Sequence, residues 1–286
     1  MWNLNYESPK EIMMALEANG LSMSKKFGQN FLLPLSIRSQ IVKQLELDDD
    51  KTAWEVGPGF GSITSLALKT GAKIKAFEID NGFCEILKNK AFNDEPNFTL
   101  VEGDALETLY KQGEMPDVLF GNLPYNVGSQ IILSLIENEL LPERMVFMLQ
   151  KEVIERMVCK IEDSPFPLFS ALTGLDYQNE LALTIKKTCF YPEPKIDSAI
   201  VVMKKREESL IPSSLRPIFM PLVKDLYRQR RKTVRNNLAS GFIGKTGGKE
   251  MVESLLSLSG LTGMERAETF SYDTLLKLTR AASQIL

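Results

Sequence analysis

Seven residues, Glu55-Val56-Gly57-Pro58-Gly59-Phe60-Gly61, limit what this chain can fold into more than any others. They follow a short apolar run, Thr52-Ala53-Trp54, and precede a helical spacing at Ile63, Leu66 and Ala67, so they read as strand, glycine turn and helix. Glycine at 57, 59 and 61 lets the backbone take positive φ and lets a ligand approach where a Cβ would block it. The strand-like stretch Lys73 to Ile79 then carries Glu78 about 20 residues past the turn, where a doubly wound sheet sets a carboxylate against ribose hydroxyls. Such a turn is either a tight loop and nothing more or the seat of a nucleotide-like ligand. A dinucleotide fingerprint needs one more glycine to seat a pyrophosphate on a helix N-terminus, and that position is Ser62. S-adenosylmethionine, which has a ribose and no phosphate, suits the pattern.

The rest of the chain alternates as a parallel α/β sheet should. Strands are expected near 52–56, 73–79, 98–101, 117–121 and 144–149, with a closing pair at Leu181–Lys187 and Ser198–Met203. A leading helix over 8–18 is signalled by Ser8-Pro9-Lys10-Glu11, and residues 34–46 predict a second one. Between them, Lys25-Lys26-Phe27-Gly28-Gln29-Asn30-Phe31-Leu32 mixes basic, amide and aromatic groups without a period, which predicts a functional loop. After Lys204-Lys205-Arg206-Glu207-Glu208 the spacing becomes purely helical, so the expected division is 1–207, a catalytic domain, and 208–286, a helical domain.

Three cysteines, Cys84, Cys159 and Cys189, lie far apart with no C-x-x-C pair, and there is no histidine. That argues against a disulfide framework and a zinc site, and it removes imidazole bases and His-dependent triads. No metal is expected. No apolar run nears the roughly 20 residues that span a bilayer, and the first residues lack a basic and an apolar leader segment, so a cytoplasmic protein without a membrane partner is expected.

Two further stretches bear on chemistry. Glu102-Gly103-Asp104-Ala105 ends the third strand and places Asp104 where it could accept the exocyclic amine of a cofactor adenine or cap the next helix. Gly121-Asn122-Leu123-Pro124-Tyr125 follows the fourth strand. Methylating an adenine amine requires a pyramidal nitrogen; the Asn122 amide oxygen and a carbonyl near Leu123 can accept its two N–H bonds, Pro124 stiffens the backbone, and Tyr125 can stack on the base. A sulfonium leaves readily, so no strong base is needed. The net charge of −3 hides a cluster from Lys224 to Arg235, where Lys224, Arg228, Arg230, Arg231, Lys232 and Arg235 face one acid, Asp225. In a helix over 217–238, Lys224, Arg228, Arg231 and Arg235 would form one stripe toward phosphate.

Asn122-Leu123-Pro124-Tyr125, the glycine turn, Gln29-Asn30-Phe31-Leu32, Met148-Leu149-Gln150-Lys151-Glu152-Val153, Phe190-x-Pro-x-Pro-Lys195-Ile196-Asp197-Ser198 and Arg230-Arg231-Lys232-Thr233-x-Arg235-Asn236 resemble the rRNA adenine N6-dimethyltransferases, over roughly residues 24 to 280. The likeness implies a Rossmann-like S-adenosylmethionine-dependent methyltransferase sheet with a small C-terminal all-α, RNA-binding domain. It implies contacts to S-adenosylmethionine from Asn30, Leu32, Gly57, Glu78, Asp104 and Asn122, with Gly59, Gly61 and Ala105 beside them. Tyr125 and Phe190 would sandwich the target adenine. The substrate implied is a pair of adjacent adenines near the 3′ end of 16S rRNA in the small ribosomal subunit, and the enzyme is expected to be a monomer. One departure is Glu162-Asp163-Ser164-Pro165-Phe166-Pro167, an acidic, proline-stiffened stretch where the family carries a glycine- and lysine-containing loop. Two alternatives are a large-subunit (23S) rRNA adenine methyltransferase and a non-catalytic nucleic-acid-binding factor on the same fold. The Arg230-Arg231-Lys232-Thr233 segment argues against the first, and intact Glu78, Asn122 and Tyr125 against the second.

Overall fold

The computed structural model of the chain describes residues 2, 4–21, 30–160 and 166–286. Residues 25–29 of the functional loop and 162–165 of the acidic stretch lie outside them. The chain forms two compact units, residues 1–155 with 178–205, and residues 156–177 with 206–286. The expected division at 207/208 therefore sits close to the second crossing, but residues 156–177 group with the C-terminal helices and not with the sheet.

The strands are β1 (Phe31–Leu32), β2 (Thr52–Val56), β3 (Lys73–Glu78), β4 (Phe98–Glu102), β5 (Val118–Asn122), β6 (Arg144–Gln150), β7 (Tyr177–Ile185), β8 (Phe190–Tyr191) and β9 (Ser198–Lys205). Seven of them make one sheet in the order β4-β3-β2-β5-β6-β9-β7. β4, β3, β2, β5 and β6 are parallel neighbours, and β9 pairs antiparallel with β6. β1 and β8 form a separate two-stranded ribbon that aligns Leu32 with Phe190.

Burial explains the central strands. Ala53 to Val56 of β2 and Met145 to Leu149 of β6 are buried without a break, the pattern of parallel strands covered on both faces. The chain leaves β2 toward β3 and β4 and returns on the other side at β5, so the strand order reverses between β2 and β5. Open sheets bind ligands at the carboxyl ends of the strands flanking such a reversal. Gly121 lets β5 run close to β2 there, since a Cβ at this position would lie 2.5 Å from the Val56 carbonyl oxygen. The leading helix Pro9–Ala18 starts as its spacing predicts, with the Ser8 hydroxyl accepting from the Glu11 N–H.

The second unit contains helices Leu168–Thr173, Arg216–Tyr227, Val234–Ser240, Phe242–Ser259 and Tyr272–Ile285. Its two chain segments are joined by a buried bidentate pair, Arg216 to Asp176 at 3.0 and 2.7 Å, and by the Tyr272 hydroxyl donating to the Ser170 and Ala171 carbonyls. Among the described residues no helix is long and apolar enough to cross a membrane.

Candidate active site

A cavity of about 320 Å³ opens where β2, β3, β4 and β5 end. Gly57 and Gly59 of the turn form part of its wall, with φ of +71° and +56°. Gly61, also at positive φ, does not line it; a Cβ there would lie 2.5 Å from the Phe92 ring, so this glycine is required for packing. Asn30 and Leu32 face the same cavity, as do Asp104 and Ala105.

Glu78, at the end of β3, is 6% exposed. Its Oε1 accepts from the Ile79 and Asp80 N–H groups at 2.9 Å each, and its Oε2 accepts from the Gly59 N–H at 3.1 Å. One carboxylate thus ties the glycine turn to the neighbouring strand end. Burial raises its pKa, while these backbone hydrogen bonds pull it down. The Asp104 Oδ1 accepts from the Leu106 N–H at 2.9 Å, so the helix-cap reading of this residue holds and it lines the cavity as well.

Asn122, Leu123, Pro124 and Tyr125 follow β5 along the same wall. The Asn122 amide N–H donates to the Asn30 carbonyl at 3.3 Å, which leaves the amide oxygen to act as an acceptor. The backbone around it is held by Leu123 N–H to the Met148 carbonyl at 3.2 Å and by the Val127 and Gly128 N–H groups on the Pro124 carbonyl. The Tyr125 hydroxyl shares a 2.6 Å hydrogen bond with the Ser198 hydroxyl, and burial raises its pKa. Phe190 departs from expectation. It is 4% exposed in the main core against Leu32 and is not among the cavity-lining residues, so among the described residues Tyr125 alone of the expected pair presents a ring there.

Sequence reasoning missed Glu55. It sits on β2 at 2% exposure, lines the cavity, and accepts from the Thr64 hydroxyl. Burial pushes its carboxyl up to about 8, the Thr64 hydrogen bond pulls it down, and the charge of Glu78 pushes it further up. The signal was an acid inside an otherwise apolar strand, directly ahead of the glycines. Ile79 was also missed: an apolar side chain 47% exposed on the cavity wall, which a flat ring would cover.

These features fit S-adenosylmethionine. Two buried carboxylates border the cavity, and among the described residues the charges that act on them, Glu78 on Glu55 and Asp80 on Glu78, are acidic, which favours a cationic ligand there over an anionic one. The exposed Ile79 face suits an adenine ring, and the Glu78 and Asp104 carboxylates suit hydroxyl and amine donors.

The basic cluster is in the second unit, and the expected 217–238 helix is not formed. The helix Arg216–Tyr227 carries Lys224 and ends before the rest of the cluster, Arg228 to Lys232 form an exposed turn, and a new helix starts at Val234 behind a Thr233 cap. The break is stabilised by Asn237, whose amide donates to the Leu226 and Gln229 carbonyls at 2.7 and 3.3 Å and satisfies acceptors that a continuing helix would have used. The four-cation stripe therefore does not exist. Arg230 pairs with Glu268, and Arg235 pairs with Glu253 and donates to the Thr262 carbonyl. Arg228 reaches the Ser240 carbonyl at 3.5 Å, and Arg231 and Lys232 are exposed. Lys224 is exposed on the preceding helix.

Two solved structures share this architecture. A dimethyladenosine transferase from Plasmodium falciparum matches with a TM-score of 0.74 at 22% identity, covering 89% of this chain and 98% of that one. The 23S rRNA methyltransferase ErmE matches with a TM-score of 0.62 at 21% identity, covering 88% and 99%. Both are likenesses of fold, an α/β sheet of the kind whose strand-order reversal carries the cavity described above. Ribosomal RNA small subunit methyltransferase A of Treponema denticola is 40% identical over 279 residues, covering 95% of this chain and 94% of that protein. The protein of the same name from Geobacillus sp. is 30% identical over 291 residues, covering 99% and 100%. The ribosomal RNA adenine dimethylase family matches residues 20–278, and the chain belongs to it.

Proposed function

We infer that this chain transfers methyl groups to N6 of two adjacent adenines near the 3′ end of 16S rRNA in the small ribosomal subunit, giving N6,N6-dimethyladenosine and serving subunit biogenesis. The names of the relatives support the small-subunit substrate. Likeness to the 23S enzyme is a likeness of fold, so a large-subunit target is not favoured. The observation that carries the reading is the Asn122–Tyr125 turn on the wall of the same cavity that Glu78, Asp104, Gly57 and Gly59 line.

S-adenosylmethionine supplies, when bound, a methyl group on a sulfonium that departs without acid assistance. Glu78 is proposed to hold the ribose and Asp104 the adenine, each by a charge-assisted hydrogen bond. The Asn122 amide oxygen accepts an N–H of the target amine, which draws the nitrogen lone pair out of conjugation and aims it into the cavity. Tyr125 stacks on the target base, its ring steadied by the bond to Ser198. The proton on the methylated amine passes to solvent, so the absence of histidine is no obstacle. Lys224, Arg228, Arg231 and Lys232 are proposed as phosphate contacts, with Arg230 and Arg235 competing for their own acidic partners. The proposed working state is a monomer in the cytoplasm.

The test is incubation with labelled S-adenosylmethionine and unmethylated small-subunit particles, followed by mapping of the modified bases. Label on two adjacent adenines near the 3′ end is expected. No label on the small-subunit particles, with label on large-subunit particles incubated in parallel, would overturn the reading.

A further inference from the structure

The glycine turn has a support behind it that does not line the cavity. Between Gly57 and Ile63 the chain takes positive φ at Gly57, Gly59 and Gly61, and two of its carbonyls accept from side chains outside the turn, the Ser62 carbonyl from the nearby Ser65 hydroxyl as well. The Tyr6 hydroxyl donates to the Phe60 carbonyl at 3.0 Å, and the Arg38 Nη1 donates to the Ser62 carbonyl at 3.3 Å.

Arg38 also holds a second part of the wall, next to the turn. Its Nε and Nη2 both donate to the Leu33 carbonyl, at 3.3 and 3.2 Å, directly after the Asn30–Leu32 segment that lines the cavity. A guanidinium suits this task because its planar fork reaches two acceptors at once. It is 3% exposed, its burial lowers its pKa, and its neighbouring charge is Glu7. Tyr6 lies against it as well, with the Arg38 guanidinium 5.3 Å from the ring centroid. Glu7 in turn accepts from the Leu35 N–H at 2.8 Å.

The packing repeats the same link. Ile12, Ala15 and Leu16 of the leading helix form a cluster with Phe60 and Phe83, two rings that also line the cavity, and Leu4, Tyr6 and Phe31 pack against it. Phe60 and Phe83 meet at 4.9 Å between centroids, and Phe31 and Phe60 at 5.2 Å.

We propose that Tyr6 and Arg38 are positioning residues for the cofactor: together they clamp the glycine turn to the Asn30–Leu33 segment from behind, and so fix the placement of these two adjoining parts of the cavity wall. The inference rests on this cavity being the S-adenosylmethionine site. The residues touch neither cofactor nor RNA in this assignment, so their effect should fall on cofactor affinity and spare the substrate side.

The test compares wild type with Tyr6→Phe, Arg38→Lys and Arg38→Met by calorimetry with S-adenosylmethionine and S-adenosylhomocysteine, by thermal unfolding, and by kinetics on small-subunit particles. Tyr6→Phe removes one oxygen and keeps the ring, so it should fold even where Arg38→Met does not. Tyr6→Phe is expected to weaken both ligands about 5- to 10-fold, the scale of one lost hydrogen bond. The KM for cofactor should rise in step, while the KM for particles and kcat stay within about 2-fold. Arg38→Lys, able to reach one carbonyl, should fall between wild type and Arg38→Met. Unchanged ligand affinity in Tyr6→Phe and Arg38→Lys, with only a lower melting temperature, would overturn the proposal and leave a packing role. Wild-type protein that binds neither ligand would overturn the cofactor assignment and the clamp together.

Discussion

Glu55 and Glu78 show how burial sets the chemistry of a single residue. Glu55 carries a carboxyl moved from 4.5 up to about 8, chiefly by burial. An unfolded chain loses that proton near 4.5 and the folded chain keeps it to about 8, so between these values the unfolded state binds fewer protons and stability falls as pH rises. The contribution is fully present below about 4.5 and gone above about 8, with a slope of at most about 1.4 kcal/mol per pH unit. Glu55→Gln removes this titration, so its stability relative to wild type should improve steadily in denaturant titrations from pH 5 to pH 8. A constant difference across that range would mean that Glu55 is ionised throughout. Glu78→Ala acts otherwise, because it removes the expected ribose contact and also unties the Gly59 N–H; S-adenosylmethionine should bind at least about 10-fold more weakly by calorimetry. Asn122→Ala leaves both carboxylates in place. It should bind cofactor nearly as wild type does and lose methyl transfer by about 100-fold in single-turnover assays.

Elements whose burial follows a simple period were readable from sequence, and those defined by a distant side chain were not. The runs at 53–56 and 145–149 are buried without a break, and Ser8-Pro9 marks a helix start that forms. The basic segment misled because Lys224, Arg228, Arg231 and Arg235 have helical spacing, whereas the helix is ended by the Thr233 cap and by Asn237 reaching back to Leu226. Phe190 misled in the same way: its proline-rich surroundings suggested an open loop, yet pairing of β8 with β1 buries it against Leu32. The corrected element changes the prediction for RNA. With Arg230 and Arg235 in ion pairs, the exposed turn cations are Arg228, Arg231 and Lys232. Replacing those three by Gln should lower the log–log salt slope of particle binding by about 2, at roughly 0.7 per contact on non-duplex RNA, with cofactor affinity unchanged. The pair Arg230→Gln and Arg235→Gln should change that slope less, because their charges are already compensated. Equal slopes for wild type and the triple variant would place docking elsewhere.

At the scale of the whole molecule, the sequence marked where the sheet gives way to helices but not that the helical unit begins fifty residues earlier and is interrupted by two strands of the sheet. No composition shift signals this, because residues 156–177 join the later helices through single side chains. Asp176 pairs with Arg216 with both partners buried, Tyr272 reaches the Ser170 and Ala171 carbonyls, and the Phe166 N–H donates to the Glu268 carbonyl. Removing one member of a buried pair strands the other charge, a loss of about 3 to 5 kcal/mol. A fragment of residues 206–286 lacks Asp176 altogether and leaves Arg216 and Tyr272 without these partners. It should therefore unfold without a cooperative thermal transition and show poor amide protection. The same fragment carrying residues 156–177 on a flexible glycine–serine linker should regain a cooperative transition, and Asp176→Ala in that linked form should lose most of it. If the bare fragment folds as cooperatively as the linked one, the contacts made by residues 156–177 are dispensable and the helical unit is the contiguous C-terminal domain that the sequence suggested.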